Sequence, residues 1–313
     1  MQVSESVYDI ELKLPFQDTP ILNVYVIDGG SCSIVIDTGM GDAVSNQFLI
    51  REIEKLGIRR KAISYIINTH EHIEHFSGNY ALTEATGARI IAHSIAAEYI
   101  EWPTRQLAEQ ETWDALPEEA ARQLRKWSEF YKSIKPTKVH RRVKDGDMIE
   151  VDGTRLRVVH TPGHAKGHIC LYDERRKALF SGDQVLGSGT PYVGKWPDGS
   201  NGDMVDYIDS LKKLKELDMQ LMLPSHGPVV TEPYKRIDET IERKLRRERA
   251  IIESLADGRV KSIWSLTREV YNCAPGDVYF YSSCVLAYLS KLKSEGRVEY
   301  SINGFDIQCR LKK

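Results

Sequence analysis

Apolar and polar residues alternate along the first forty positions, which is the period of half-buried strands. Three such segments, VYDIELKL, ILNVYVIDGG and SCSIVIDTGM, are separated by turn residues and indicate antiparallel strands. Apolar residues then recur at helical spacing in SNQFLIREIEKLG, which ends at Gly57, and AISYIINTH follows as a buried strand that ends on His70. A helix pattern in HFSGNYALTEATG and a strand pattern in ARIIAH continue the alternation. This half of the chain is therefore predicted to be a layered α/β structure.

The strand pattern is interrupted at about residues 102–135 and returns from residue 138. The interruption is charged and helical in spacing, and we interpret it as a helical excursion on the surface. Strand patterns then recur in KVHRRV, DMIEV, RLRVVHTPG and HICLYDERRKALFSGD, followed by an amphipathic helix, DYIDSLKKLKEL, and a short strand, QLMLPSH. These elements complete a domain that we assign to residues 1–235.

From residue 236 onwards the pattern is that of a smaller unit. A long basic helix precedes two further helical patterns and a hairpin with Asn303-Gly304 at its turn. This is the outline of a winged helix, so we predict a winged-helix-like domain over residues 236–313. Residues 241–313 hold 14 Lys or Arg and 9 Asp or Glu. The excess of positive charge makes RNA an alternative partner, although a solvated helix or a tail used in a homodimer explains it as well.

Composition indicates the general class of protein but not any reaction that it catalyses. Hydrophobic residues make up 41% and charged residues 28% of the 313 positions, as in ordinary globular proteins. The amino terminus lacks the pattern of a signal peptide, and no apolar run approaches the roughly 18 residues of a membrane span. We therefore expect a cytoplasmic protein without a membrane partner. The five cysteines are scattered without a CxxC pair, which indicates neither a disulfide framework nor a thiolate metal site.

A cluster of histidines follows the buried strand. His70, His72 and His75 lie within six residues, with Glu74 among them. Neutral imidazole binds Zn²⁺ or iron well, and a carboxylate among the histidines offsets charge and favours two cations held close together. We interpret this cluster as half of a two-metal site, in preference to three unrelated surface histidines.

Three more potential metal ligands end later strand patterns. They are His164 in HTPGHAKGH, Asp183 in FSGDQVLG and His226 in LPSHGP. Two cations about 3.5–4 Å apart lower the pKa of a bound water to near 7 and stabilise the negative oxygen that forms on the attacked centre. Such a ligand set is therefore suited to hydrolysis.

The order of these ligands resembles the signature of the metallo-β-lactamase superfamily, HxHxDH followed by a His, an Asp and a His. The flanking IDTG, HTPGH, SGD and SHGP motifs match as well, and the resemblance covers residues 7–230. It implies an α/β fold, the αββα sandwich, with two mixed sheets between helices and the metal site at one edge. It also implies two divalent metal ions, with zinc expected first and iron or manganese as alternatives. The implied ligands are His70, His72 and His164 for metal 1, Glu74, His75 and His226 for metal 2, and Asp183 as the bridge.

Glu74 departs from this signature, because the family usually has Asp at that position. Glutamate is longer by one carbon–carbon bond, about 1.5 Å. Its carboxylate therefore either reaches metal 2 from a different angle or acts beside the metal as a proton acceptor. Flavodiiron enzymes, a redox branch of the same fold, would have Glu where this chain has His72, which argues against reduction of oxygen or nitric oxide.

Other residues receive roles from their positions around these ligands. Asp37 in IDTGM resembles the family's aspartate that supports the ligand loop from behind the metal. The residues assigned catalytic roles are Asp183, Glu74 and His168. For His168, which could contact substrate or orient the site, a packed structural histidine is the alternative. Tyr192 and Trp196 follow the bridging aspartate in a loop and are predicted to line the substrate pocket, unless they pack beneath that loop.

The predicted function is that of a metal-dependent hydrolase in which a metal-bound hydroxide attacks an acyl or phosphoryl centre. With its predicted winged-helix tail the chain looks like superfamily members that include glyoxalase II-type thioesterases, polyketide-releasing thioesterases and endoribonucleases. A small ester, thioester or lactone is the preferred substrate class. An endoribonuclease or phosphodiesterase acting on single-stranded RNA is the first alternative, and a metal-binding protein without catalysis is the second.

Overall fold

The fold was obtained as a computed structural model, which describes residues 1–16, 20–105, 118–195, 202–273, 277–303 and 306–312. Two β-sheets lie between layers of helices, and a small third sheet lies near the carboxyl terminus.

The first sheet has seven strands in sequence order. They are β1 (Gln2–Ser4), β2 (Val7–Lys13), β3 (Ile21–Asp28), β4 (Ser33–Ile36), β5 (Ile63–Ile67), β6 (Arg89–His93) and β7 (Val139–Val143). Strands β1 to β4 form an antiparallel meander, as their alternating pattern predicts. Strands β4 to β7 pair in parallel, so their carboxyl ends lie at one edge of the sheet.

The second sheet has five strands in the order β12-β11-β10-β9-β8. They are β8 (Met148–Val151), β9 (Thr154–His160), β10 (Ile169–Asp173), β11 (Ala178–Gly182) and β12 (Leu221–Pro224). Neighbouring strands are antiparallel except for β11 and β12. Strands β9, β11 and β12 consequently run in the same direction and end at the same edge.

Nine α-helices fall within the described residues. They are α1 (Ala43–Lys55), α2 (Ile73–Phe76), α3 (Asn79–Thr86), α4 (Ser94–Glu101), α5 (Glu118–Ser133), α6 (Met204–Leu214), α7 (Pro233–Leu255), α8 (Ile263–Tyr271) and α9 (Val278–Ser294). Helix α1 begins after Asp42, whose side chain accepts hydrogen bonds from two N–H groups of the first turn. Gly57 follows the end of α1 with a φ of 84°, which suits a helix stop. Of the predicted helical excursion, residues 118–133 are helical and residues 106–117 lie outside the described part.

Three hydrophobic clusters define the layers. One fills the space between the first sheet and helices α1, α3 and α4. A second lies between the two sheets, and a third joins the second sheet to helices α6 to α9. The layer order is helix, sheet, sheet, helix, which is the predicted αββα sandwich.

The carboxyl-terminal elements share the third hydrophobic cluster with the second sheet. Helices α8 and α9 precede the hairpin of β14 (Val298–Asn303) and β15 (Asp306–Leu311), and β13 (Lys261–Ser262) pairs with β15. This is the element order expected for a winged helix, and that assignment stays a prediction, as does the boundary near residue 236. Gly304, of the predicted hairpin turn, lies outside the described residues.

Among the described helices, none combines the length and the apolar character that crossing a membrane requires.

Candidate metal centre

The first of two ligand clusters joins three predicted ligands, His70, His72 and His164. The first two follow β5, and the third lies in the turn after β9. Nε2 of His70 is 3.1 Å from Nδ1 of His72 and 3.2 Å from Nε2 of His164. Nitrogens bound at about 2.0–2.1 Å to one tetrahedral zinc ion would lie about 3.3–3.4 Å apart. The three nitrogens therefore already have nearly the spacing of ligands to a single ion.

The second cluster joins the remaining four predicted ligands, Glu74, His75, Asp183 and His226, whose ligand atoms lie within 4.8 Å of one another. Nε2 of His226 is 3.5 Å from Oδ1 of Asp183, and Nε2 of His75 is 3.8 Å from Oδ2 of Asp183. The Glu74 carboxylate reaches this group from the first turn of α2, with Oε1 4.0 Å from Nε2 of His75. The longer side chain of Glu74 thus still faces the second cluster.

Asp183 lies between the two clusters. Its Oδ2 is 3.5 Å from Nε2 of His164 in the first cluster, while its Oδ1 faces His226 in the second. Oδ1 of Asp183 and Nε2 of His75 are both buried and have no hydrogen-bond partner among the described residues. A buried polar atom left in this way costs about 1–3 kcal/mol. Imidazole nitrogens combined with carboxylate oxygens suit divalent ions such as Zn²⁺, Fe²⁺ or Mn²⁺, so these residues fit the implied metal ions.

Backbone carbonyl groups fix the tautomers of two ligand histidines. Nδ1 of His164 donates to the Tyr192 carbonyl at 2.5 Å, and Nδ1 of His226 donates to the Ile21 carbonyl at 2.6 Å. A carbonyl oxygen can only accept, so Nδ1 carries the proton in both rings. The lone pair of Nε2 is therefore directed at the clusters in each case.

Asp37 and Thr69 fix two further histidines. Asp37 follows β4 and is fully buried, and its carboxylate accepts hydrogen bonds at 2.8 Å from the Thr69 N–H, the Thr69 hydroxyl and Nδ1 of His75. Since the only hydroxyl proton of Thr69 goes to Asp37, its oxygen accepts from Nδ1 of His70, 3.0 Å away. Nε2 of His70 is thus left unprotonated for a metal ion, and Nε2 is the nitrogen of His75 that faces the second cluster. The backbone of Asp37 has a φ of 64°, a left-handed conformation that turns the chain at this point.

The protonation of the ligands follows from burial and from nearby charge. Burial, reinforced by neighbouring imidazoles, lowers the pKa of His70 and of His164 well below the usual value. Burial, the largest single influence on His75, opposes its charge, but the carboxylates of Asp37, Asp183 and Glu74 together outweigh burial and raise the pKa of His75 to about 9. Burial alone would raise the pKa of Glu74, but the neighbouring imidazoles, with His75 first among them, and a backbone hydrogen bond together lower it. A cation entering the second cluster must therefore displace a proton from His75.

His168 does not reach the reacting side of the centre. Its Nδ1 lies 2.8 Å from the Thr161 hydroxyl, and its Nε2 accepts a hydrogen bond of 3.0 Å from the backbone N–H of Asp183. Because both ring nitrogens are occupied and the ring is fully buried, the predicted catalytic role does not fit this geometry. The geometry corresponds to the orienting role, in which His168 fixes the backbone of Asp183.

Tyr192 faces the carboxyl-terminal helices. Its ring stacks on Phe280 of α9 with centroids 4.1 Å apart, and its hydroxyl is hydrogen-bonded to Ser283. This geometry corresponds to packing beneath the loop, and the contact with the centre is made by the backbone carbonyl that holds His164. Trp196, the other predicted pocket residue, lies outside the described residues.

Comparison with known proteins identifies the family. The family model of the metallo-beta-lactamase superfamily matches residues 20–226, and the chain belongs to this superfamily. A beta-lactamase-like protein 2 homolog of Caenorhabditis elegans is 29% identical over 280 residues, which cover 88% of this chain and 80% of that protein. An atrochrysone carboxyl ACP thioesterase of Aspergillus fumigatus is 26% identical and covers 90% of this chain and 79% of its own length.

Solved structures show that the fold extends over the whole chain. A metallo-beta-lactamase family protein from Thermus thermophilus superposes with a TM-score of 0.83 at 23% identity, covering 98% of this chain and 99% of that one. A beta-lactamase domain protein from Burkholderia ambifaria gives a TM-score of 0.80 at 20% identity, covering 100% and 93%. The predicted superfamily and fold class are confirmed. Together with the two ligand clusters, family membership also confirms the predicted class of enzyme, a metal-dependent hydrolase that uses divalent metal ions.

Proposed function

We propose that this enzyme holds two metal ions at once and hydrolyses a small ester, thioester or lactone. The position of Asp183 is the observation that supports this proposal most directly. Its two carboxylate oxygens lie 3.5 Å from His164 of the first cluster and 3.5 Å from His226 of the second. A carboxylate in this position is suited to bridging two cations.

The residues of the chain prepare this chemistry in three ways. The bound ions would supply a water of lowered pKa and positive charge for the oxygen of the attacked carbonyl. Hydrogen bonds to Nδ1 hold the rings of His70, His75, His164 and His226 so that Nε2 is the nitrogen presented to the clusters. Carboxylates offset the charge of the cations, and we assign this role to Asp183 and Glu74. The burial of these groups keeps bulk water away, which strengthens every electrostatic interaction among them.

The choice of a small acyl substrate has two supports. A relative that aligns with 90% of this chain is described as a thioesterase. In addition, α9, the helix in the position of a winged helix's recognition helix, is mostly buried. Arg246 and Arg249 of the basic helix α7 both pair with Glu242. Two cations of α7 are thus already paired within the chain, which weakens the argument for phosphate binding.

The zinc-loaded protein should be assayed in parallel with an acyl thioester, a lactone and single-stranded RNA. We expect wild-type protein to hydrolyse a thioester or a lactone, and we expect kcat to fall by at least about 100-fold in Asp183→Asn. A loss of this size is typical when one charge-stabilising group is removed from an active site. Asp209→Asn is the matched control, because Asp209 is exposed on α6, where it pairs with Lys212 at 2.9 Å. Cleavage of RNA alone, dependent on Asp183, would show the small-substrate proposal to be wrong.

Metal analysis tests the number of ions separately. Two zinc ions per chain are expected, and a single ion would assign Glu74 to a position beside the metal. No bound ion would contradict the proposal as a whole.

A further inference from the structure

Two buried cations of α7 hold the loop that follows Asp183, residues 184–195, here called the bordering loop. Arg236 donates from Nε to the Leu186 carbonyl at 2.7 Å and from a terminal nitrogen to the Gly189 carbonyl. Two turns further along the helix, Nζ of Lys244 donates to the Pro191 carbonyl at 2.6 Å. The bordering loop is thus fixed along its length by a helix that lies beyond the family-matching residues.

Lys244 is an unusual residue to bury. It is 8% exposed, and no carboxylate lies within ion-pairing distance of it in the part of the chain that the structure describes. Its ammonium lies 5.2 Å from the centre of the Tyr207 ring, which compensates for only part of the lost hydration. Burial lowers the pKa of Lys244 to about 8. An apolar side chain of the same length would fill the space at a lower cost in stability, so packing alone does not explain a lysine at this position.

The Pro191 carbonyl is one peptide away from a carbonyl that binds a metal ligand. Pro191 precedes Tyr192, whose carbonyl accepts the hydrogen bond of 2.5 Å from Nδ1 of His164. The Pro191 carbonyl and the Cα of Tyr192 belong to one planar peptide unit, so a displacement of that carbonyl also moves the residue that carries the second carbonyl. Lys244 and His164 therefore bind successive carbonyl groups of the bordering loop.

We infer that Lys244 is a positioning residue for the metal ligand His164. By holding the Pro191 carbonyl, its ammonium keeps the Tyr192 carbonyl in place, and that carbonyl keeps His164 in the tautomer that presents Nε2 to the first cluster. The inference rests on the proposed binding of a metal ion by this cluster. Loss of a hydrogen bond behind a metal ligand typically weakens metal binding by about 10- to 100-fold.

The test measures zinc affinity, by competition with a chromogenic chelator, in Lys244→Met, which keeps an unbranched side chain one atom shorter than lysine and removes its donor. The ion of the first cluster is identified as the one that His72→Gln loses. We expect that ion to bind about 10- to 100-fold more weakly in Lys244→Met, while the ion of the second cluster is retained. Lys244→Arg, which restores a donor, should recover part of the affinity. Lys235→Met is the control on the same helix, since Lys235 is exposed and pairs with Glu232 at 2.9 Å.

The outcomes separate this inference from the proposed function. If wild-type protein binds no ion in the first cluster, the proposed function fails. If wild-type binds two ions and Lys244→Met binds both with unchanged affinity, only the positioning role of Lys244 is refuted. Equal weakening of both ions would indicate general destabilisation and would also refute it. Should Lys244→Met not fold by circular dichroism, Lys244→Leu, which is shorter and also lacks the donor, is judged by the same two affinities.

Discussion

Replacing Asp37 by asparagine should block one metal ligand without removing it. Oδ1 of Asp37 accepts from the Thr69 N–H, and Oδ2 accepts from Nδ1 of His75, both at 2.8 Å. In asparagine the oxygen must stay with the Thr69 N–H, so the amide NH₂ is turned towards His75. Two donors then face each other unless the His75 proton moves from Nδ1 to Nε2. A ring protonated on Nε2 cannot bind a metal ion through that atom.

The expected magnitude follows from this single hydrogen bond. Changing the partner behind a metal-binding histidine costs about 10- to 100-fold in affinity, or about 1.4–2.7 kcal/mol. Asparagine is preferable to alanine, because alanine would leave the Thr69 N–H and Nδ1 of His75 buried without partners, at about 1–3 kcal/mol each. The second-cluster ion should bind more weakly by this amount in Asp37→Asn. The first-cluster ion should keep its affinity, because the Thr69 hydroxyl oxygen has two lone pairs and can accept from the new amide while it still accepts from Nδ1 of His70.

The assay is a zinc titration of metal-free protein against a chromogenic chelator, with folding checked by circular dichroism. Asp9→Asn is a control, since Asp9 is also buried and lies on β2 away from both clusters. In a His226→Gln background the effect of Asp37→Asn should vanish, because the second-cluster ion is already lost. Two ions of wild-type affinity in Asp37→Asn, or an effect that persists in that background, would refute the reasoning.

Three further predictions concern stability. Removing the metal ions with a chelator should lower Tm, since an ion present at 100 times its Kd stabilises the folded state by about 2.7 kcal/mol; an unchanged Tm would mean that the folded chain binds no ion. Burial and the neighbouring Glu11 raise the pKa of Asp9 to about 6, so the folded state holds this proton more tightly than the unfolded chain and stability should decline as pH rises from about 4 to 6. Asp9→Asn should abolish that decline and raise the free energy of unfolding at pH 7 by about 1–2 kcal/mol, after allowance for solvent screening. Denaturant unfolding that gives the same pH profile for wild type and Asp9→Asn would contradict this. Leu289→Ala, in the fully buried part of α9, should lower the free energy of unfolding by about 3–5 kcal/mol. Because the third hydrophobic cluster is continuous, the whole chain should unfold in a single calorimetric transition, at a lower Tm than wild type. Two separate transitions would show independent domains.

The two clusters of seven candidate metal ligands could be predicted because the residue types follow from metal chemistry and their positions follow from the order of the strands. Each is a histidine or carboxylate close to the end of a strand pattern, and strands that run in the same direction end at one edge of a sheet. The groups that orient them were harder to predict. Ile21 and Tyr192 act through backbone carbonyls, which every residue has. Thr69 did carry a signal that the sequence analysis missed, a hydroxyl directly before the ligand His70.

The direction of a side chain and the pairing of apolar faces could not be deduced from periodicity. His168 is close in sequence to His164, but only the structure shows that its ring is turned to the backbone of Asp183. The third hydrophobic cluster joins helices and a sheet from both predicted domains, and a pattern of apolar positions does not show which face packs against which. Arg236 and Lys244 were overlooked as part of a basic run. Their spacing of eight residues places them on one face of α7, together with buried apolar residues.

The metal centre also has a consequence for the kinetics of folding. The first sheet supplies His70, His72 and His75, and the second supplies His164, Asp183 and His226, so neither sheet alone offers a full ligand set. An ion that needs ligands from both sheets can be captured only after the two sheets have come together, and we expect this to follow the rate-limiting step of folding. A bound ion should therefore slow unfolding and leave the refolding rate nearly unchanged, as stopped-flow measurements with and without zinc would show. On this prediction, the supply of metal ion sets how long a folded molecule survives, while its speed of folding depends on the chain alone.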